Sequence, residues 1–108
     1  MSDPHQELAG AADDGDRDAR TALGDGATPT RLRAAILALA RHRGPHSSIC
    51  PSDAARAVGG ADWRELNTES RSIALDLARA GGVEITQRGD VVDPDAPLRG
   101  PIRIRAKP

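Results

Sequence analysis

Gly81-Gly82-Val83-Glu84-Ile85-Thr86-Gln87-Arg88-Gly89-Asp90-Val91-Val92 is where the chain changes its period. Val83 and Ile85 alternate with Glu84 and Thr86, the two-residue repeat of a strand with one buried face. Arg88-Gly89-Asp90 reads as a turn or bulge, and Val91-Val92 as extended. Downstream, Ile102 and Ile104 alternate with Arg103 and Arg105; between the two runs, Pro94, Pro97 and Gly100 mark an irregular excursion from about Asp93 to Gly100.

Upstream of Gly81 the period is helical. Ile73, Ala74, Leu77 and Ala78 form one face of a helix capped at Thr68 and closed by Gly81-Gly82. Asp62 and Glu65, spaced as in a capping box, start a helical turn carrying Trp63 and Leu66. A helix opens at Pro51-Ser52-Asp53 with Ser52 as its cap, buries Ala54, Ala55 and Val58, and ends at Gly59-Gly60. Another opens at Thr28-Pro29-Thr30 with a threonine cap, buries Leu32, Ala35, Ile36, Leu39 and Ala40, and stops at Arg43 before Gly44-Pro45. His46 to Cys50 suits a short strand at most.

Helix, short strand, helix, helix, hairpin is the order of a winged helix-turn-helix, so an α+β domain with three helices on a small antiparallel sheet is expected over residues 28–108. Its expected core is Leu32, Ile36, Leu39, Cys50, Val58, Trp63, Leu66, Ile73, Leu77, Val83, Ile85, Ile102 and Ile104. Residues 1–27 contain seven carboxylates against two arginines, a net −5, with only Leu8 and Leu23 as sizeable apolar groups. That composition predicts a disordered acidic arm, because it offers little to bury against the entropy of ordering. Residues 28–108 carry thirteen basic and nine acidic groups, a net +4. Two readings of the arm stand: a solvated tail, or a segment that folds back and screens the basic domain.

With 108 residues the chain is long enough for one domain and too short for two. Tyr and Phe are absent and Trp63 is the one aromatic residue, so the core must be aliphatic and small. The single Cys50 excludes an internal disulfide, and no signal sequence opens the chain; a cytoplasmic location fits both. The apolar run Ala34 to Ala40 is far shorter than the roughly 20 residues a bilayer requires.

Several stretches, in order, carry a resemblance: Ile49-Cys50-Pro51-Ser52-Asp53-Ala54-Ala55-Arg56, Asp62-Trp63-Arg64, Arg71 before an Ala-rich helix, Ile85-Thr86-Gln87-Arg88-Gly89, and Gly100-Pro101-Ile102-Arg103. Together they resemble the bacterial family known as domain of unknown function 3253, from roughly Leu32 to Arg105. The resemblance implies a winged-helix-like fold and no established activity. Asn67-Thr68-Glu69-Ser70 departs from the family pattern, which more often has an apolar residue and a proline there.

The arginines point to a polyanion. Strand alternation puts Arg103 and Arg105 opposite Ile102 and Ile104, with Lys107 continuing the row and Arg88 and Arg99 flanking the hairpin tip. Arg71 and Arg79 lie on the exposed side of the last helix, where Glu69 and Asp76 oppose them. Arg71, Arg79, Arg88, Arg99, Arg103 and Arg105 are therefore the expected nucleic-acid contacts, and DNA the expected partner. Four phosphate contacts would give a salt slope of about −3.6, roughly a hundredfold loss between about 50 and 200 mM salt. The competing explanation is that edge-strand arginines discourage sheet-to-sheet aggregation.

A protein partner is the alternative, with Leu75, Trp63 or an edge strand in an apolar patch. A third reading makes Cys50 a redox or small-molecule sensor. Trp63 is expected in the core rather than stacked on a base, and Arg64 and Arg71 either orient helices or bind anions. His42, His46 and Cys50 lack a fourth ligand, Gly44-Pro45 separates the histidines, and no metal or cofactor is expected. Asp90, Asp93 and Asp95 lack the glycine and terminal glutamate of a calcium loop. No phosphate loop, nucleophile elbow or Cys or Ser grouped with a His and a carboxylate is present, so no enzyme is expected and no residue is expected to be catalytic.

Overall fold

A computed structural model describes residues 3–108 of the chain. Its elements are α1 (Pro4–Asp13), α2 (Arg17–Leu23), α3 (Thr28–Arg43), α4 (Pro51–Gly59), a 3₁₀ helix (Gly60–Leu66), α5 (Asn67–Arg79), β1 (Val83–Gln87), β2 (Asp90–Val91) and β3 (Arg103–Ala106). The architecture is α+β: helices first, then a three-stranded antiparallel sheet in the order β2-β1-β3. The helix α3 is the hub, touching α1, α2, α4, α5 and β3. Leu32, Ala35, Ile36 and Leu39 are fully buried on it, and each of the two leucines and the isoleucine contributes about 1.5–3 kcal/mol.

The sheet closes the other side of this core. Ile85 pairs with Ile104 and Val83 with Ala106, while Thr86 faces Arg103 on one flank and Val91 on the other. Ile49 forms an isolated bridge to Ile104, with N–H to carbonyl distances of 2.8 and 2.7 Å in the two directions. The segment His46 to Cys50 thus contributes one bridge, on the free edge of β3. Gln87-Arg88-Gly89-Asp90 is a two-residue hairpin with φ 54° at Arg88 and 86° at Gly89, the positive pair that a type I′ turn requires.

Three caps differ from expectation. Ala27, without a capping side chain, precedes α3, so Thr28 and Pro29 already lie in its first turn. Cys50, not Ser52, takes the cap position of α4, and its N–H donates to the Asp53 carboxylate at 3.0 Å. The helix α5 runs on directly from the 3₁₀ helix, with helical backbone at Leu66, so Thr68 caps nothing. The preceding turn already offers carbonyls to the first amides of α5, as Arg64 does to the Asn67 N–H.

In the core, Leu32, Ile36, Leu39, Leu77, Val83, Ile85, Ile102 and Ile104 are buried. Val58, Leu66 and Ile73 are half-buried and pack against its flank, and Cys50 is half-buried. Trp63 is half-buried and stands outside that cluster: the Arg56 and Arg64 guanidiniums lie 4.5 and 4.6 Å from its ring centroid. A short 3₁₀ helix without a buried residue gives the indole no interior to enter, and the two cations are drawn to its face instead.

The largest correction concerns residues 3–27, which form no disordered arm. Asp3 and Asp16 accept from the Gln6 and Ala19 amides at 2.9 and 3.0 Å and cap α1 and α2. Leu8, Ala19 and Ala22 are at most 1 % exposed. Small side chains let the two helices come close to α3, and long arginines tie them down. Arg43 donates to both Glu7 oxygens, at 2.7 and 3.3 Å, and Arg41 reaches Asp16 and Asp18 at 3.0 and 2.8 Å. The acidic segment folds back, and its ion pairs go to α3 rather than to the hairpin. No described helix is long and apolar enough to cross a membrane.

Candidate nucleic-acid interface

The six arginines expected to meet phosphate divide into two sets. Arg105 pairs with Glu84, its direct neighbour across the sheet, at 3.0 Å. Arg79 donates to Asp76 and Asp95 at 2.8 and 2.7 Å and to the Pro94 carbonyl at 3.1 Å. These carboxylates hold the Arg79 guanidinium above its ordinary pKa, the hydrogen bond to Asp95 foremost. Arg71 lies in the first half of α5 and donates to the Leu98 and Gly100 carbonyls at 3.1 and 2.7 Å. These three are occupied within the fold.

Arg88, Arg99 and Arg103 are brought together instead. They line one open concavity of about 610 Å³, with Gln87, Val92, Gly100 and Pro101 completing the wall and Asp90 as the one carboxylate. None of the three has an ion-pair partner among the described residues. Arg103 is oriented by Ser48, donating to its hydroxyl at 2.9 Å and its carbonyl at 3.0 Å. That carbonyl also accepts from Arg43 at 3.2 Å, which links the ion pair with Glu7 to the concavity through one oxygen. Arg88 is held by a backbone conformation that costs a non-glycine residue about 1 kcal/mol or more.

Two residues matter here that the sequence reading passed over. Ser48 orients Arg103, and the Gln87 amide donates to the Arg99 and Pro101 carbonyls at 2.8 and 3.2 Å. The available signal was the proline content of the excursion: an irregular run must find donors for its carbonyls outside itself, and Arg71 and Gln87 are long donors on the elements that flank it.

Elsewhere the surface carries less chemistry. Cys50 lies 2.9 Å from the Ser52 hydroxyl, and no group of three His, Cys, Asp or Glu side chains among the described residues is placed to hold a metal. Val91, 54 % exposed, is the one exposed large hydrophobic among the described residues.

These features define an α+β chain in which helices precede a three-stranded antiparallel sheet and a cationic concavity opens at the hairpin end. The chain belongs to the family described as "Protein of unknown function (DUF3253)", whose model matches residues 29–107. The helices α1 and α2 lie outside the matched part. No curated protein matches the chain.

Proposed function

We propose that this chain is a non-catalytic winged-helix module that binds the phosphate backbone of DNA weakly and without sequence preference. The observation that carries the reading is the meeting of Arg88, Arg99 and Arg103 around one concavity with a single carboxylate. Arg88 and Arg99, without an internal counter-ion, present guanidiniums suited to bidentate phosphate binding, and Arg103, whose Nε and Nη2 donate to Ser48, offers its Nη1 beside them. Support for the winged-helix part comes from strand order: Ile49, which lies between α3 and α4, sits beside β3, then β1, then β2, and α3, α4 and α5 precede the hairpin, with the concavity at its tip. A protein adaptor would need an apolar contact patch, and Val91 alone is too small for one.

The test is a fluorescence anisotropy titration of a short labelled duplex with the full chain at low salt. Three phosphate contacts predict a log-log salt slope of about −2.7, or about a fortyfold loss between about 50 and 200 mM. Replacement of all three arginines by alanine should abolish binding with the circular dichroism unchanged. Absence of binding by the natural chain at tens of micromolar rejects the reading.

A further inference from the structure

Four successive carbonyls, those of residues 98 to 101, accept hydrogen bonds from only two side chains. Arg71 on α5 takes Leu98 and Gly100, and Gln87 at the end of β1 takes Arg99 and Pro101. Two separate elements therefore grip the same run in alternation, and the residue in its middle is Arg99. The Arg99 side chain itself is exposed, has no ion pair among the described residues, and lines the concavity. We propose that Arg71 and Gln87 are positioning residues that present Arg99 to a phosphate, leaving α5 as a scaffold that reads no bases. The inference rests on the backbone-binding reading above and deepens it by assigning how contact is made.

Free chain carrying prolines at 94, 97 and 101 would sample many conformers, and ordering it on binding would weaken affinity. The clamp removes that loss in advance. It also changes the role of α5. Its two arginines hold the excursion at both ends, Arg71 at residues 98 and 100 and Arg79 at Pro94 and Asp95. The stripe of α5 left exposed is Thr68, Ser72, Asp76 and Arg79, and its one basic side chain is already held by Asp76, Asp95 and the Pro94 carbonyl. Such a face does not enter a groove walled by phosphates.

The full chain and its variants are titrated with labelled duplexes of two unrelated sequences over a range of salt. Arg99→Ala should lower the magnitude of the salt slope by about 0.9, the value of one phosphate contact. Arg71→Ala and Gln87→Ala, which remove no phosphate ligand, should each move the slope in the same direction and weaken binding severalfold. The double variant Arg71→Ala with Arg99→Ala should bind no worse than Arg99→Ala alone. A merely structural role for Arg71 would lower thermal stability and leave the slope untouched. Should Arg71→Ala fail to fold, Gln87→Ala approaches the same carbonyls from the sheet side. Natural chain that binds, with slopes unchanged in the folded clamp variants or with losses that add fully, overturns the clamp. A preference above about tenfold between the two duplexes overturns the scaffold role of α5. No binding by the natural chain rejects the backbone-binding reading itself.

Discussion

Residues 3–27 and residues 92–102 are both rich in small and turn-forming residues and both lie against the helical core, yet one is helical and the other irregular. The contrast lies in where each sends its backbone hydrogen bonds. In the first, no proline falls between His5 and Leu23, and alanine recurs at helical spacing. Its backbone groups satisfy one another, with Asp3 and Asp16 closing the open amides. In the second, Pro94, Pro97 and Pro101 remove donors, so the carbonyls recruit Arg71, Arg79 and Gln87. One segment is ordered by its own backbone and borrows ion pairs; the other makes a single turn of its own at Asp93 to Ala96 and depends on borrowed side chains beyond it.

Truncating one leucine in each segment tests this contrast with the largest expected effect. Leu8 is 1 % exposed, and Leu8→Ala should cost on the order of 2–5 kcal/mol. Leu98 is half-buried at the edge of the core, and Leu98→Ala should cost about 1 kcal/mol. Urea unfolding checks both. A single transition shifted in the Leu8 variant places the N-terminal helices in the same cooperative unit as the sheet; an unchanged transition would mean that they dock as a loose attachment.

The ion pairs extend the comparison at smaller scale. Arg43 and Glu7 are 26 % and 9 % exposed, whereas Arg79, Asp76 and Asp95 are 44 %, 69 % and 73 % exposed. Burial weakens solvent screening and leaves the abandoned partner without water. Arg43→Ala should therefore cost on the order of 2 kcal/mol, and Arg79→Ala, at a solvent-screened pair, distinctly less. Equal losses in thermal unfolding would show that exposure does not set the ranking.

Much of the fold was legible because it rests on period and punctuation. The alternation at Val83 to Thr86 and Ile102 to Arg105, and the stops at Gly44, Gly60 and Gly81, all coincide with element boundaries or registers. The N-terminal helices are not legible from composition, because Asp3 and Asp16 add to the charge yet act as caps. Alanine, weakly apolar by composition, acts as a spacer that lets helices approach. The size of Trp63 points to the core, though Arg56 and Arg64 provide its environment. For the candidate site, the residue type was legible and the grouping was not. Which arginines face solvent without a partner depends on carboxylates and carbonyls brought near by tertiary packing, as Glu84 is to Arg105 and Leu98 to Arg71.

Within the hairpin, Arg88 sets stability against the proposed binding to phosphate. Its φ of 54° suits asparagine or glycine, so Arg88→Asn should stabilise the chain by about 0.5 kcal/mol while removing one of the proposed phosphate contacts. Thermal unfolding and the salt slope check the two halves separately. A variant that loses stability would show that the Arg88 side chain holds the turn through contacts that outweigh its backbone strain.

Acid provides the finest test, because it acts on the N-terminal helices through Asp16. Burial alone would raise this carboxyl, but the hydrogen bonds from the Ala19 amide and from Arg41, with the Arg41 charge, bring it below its ordinary value of 3.8. A carboxyl whose folded pKa is depressed contributes its full stabilisation above the unfolded value and loses it as pH falls through the folded one. Asp16→Asn retains a side-chain oxygen for the helix cap and removes the charge that Arg41 meets. The stability difference between the natural chain and this variant should hence be constant above about pH 5 and shrink below about pH 4. Urea midpoints measured across that window decide it. A difference that persists undiminished in acid would mean that the cap geometry, and not the ion pair with Arg41, holds α2 against α3.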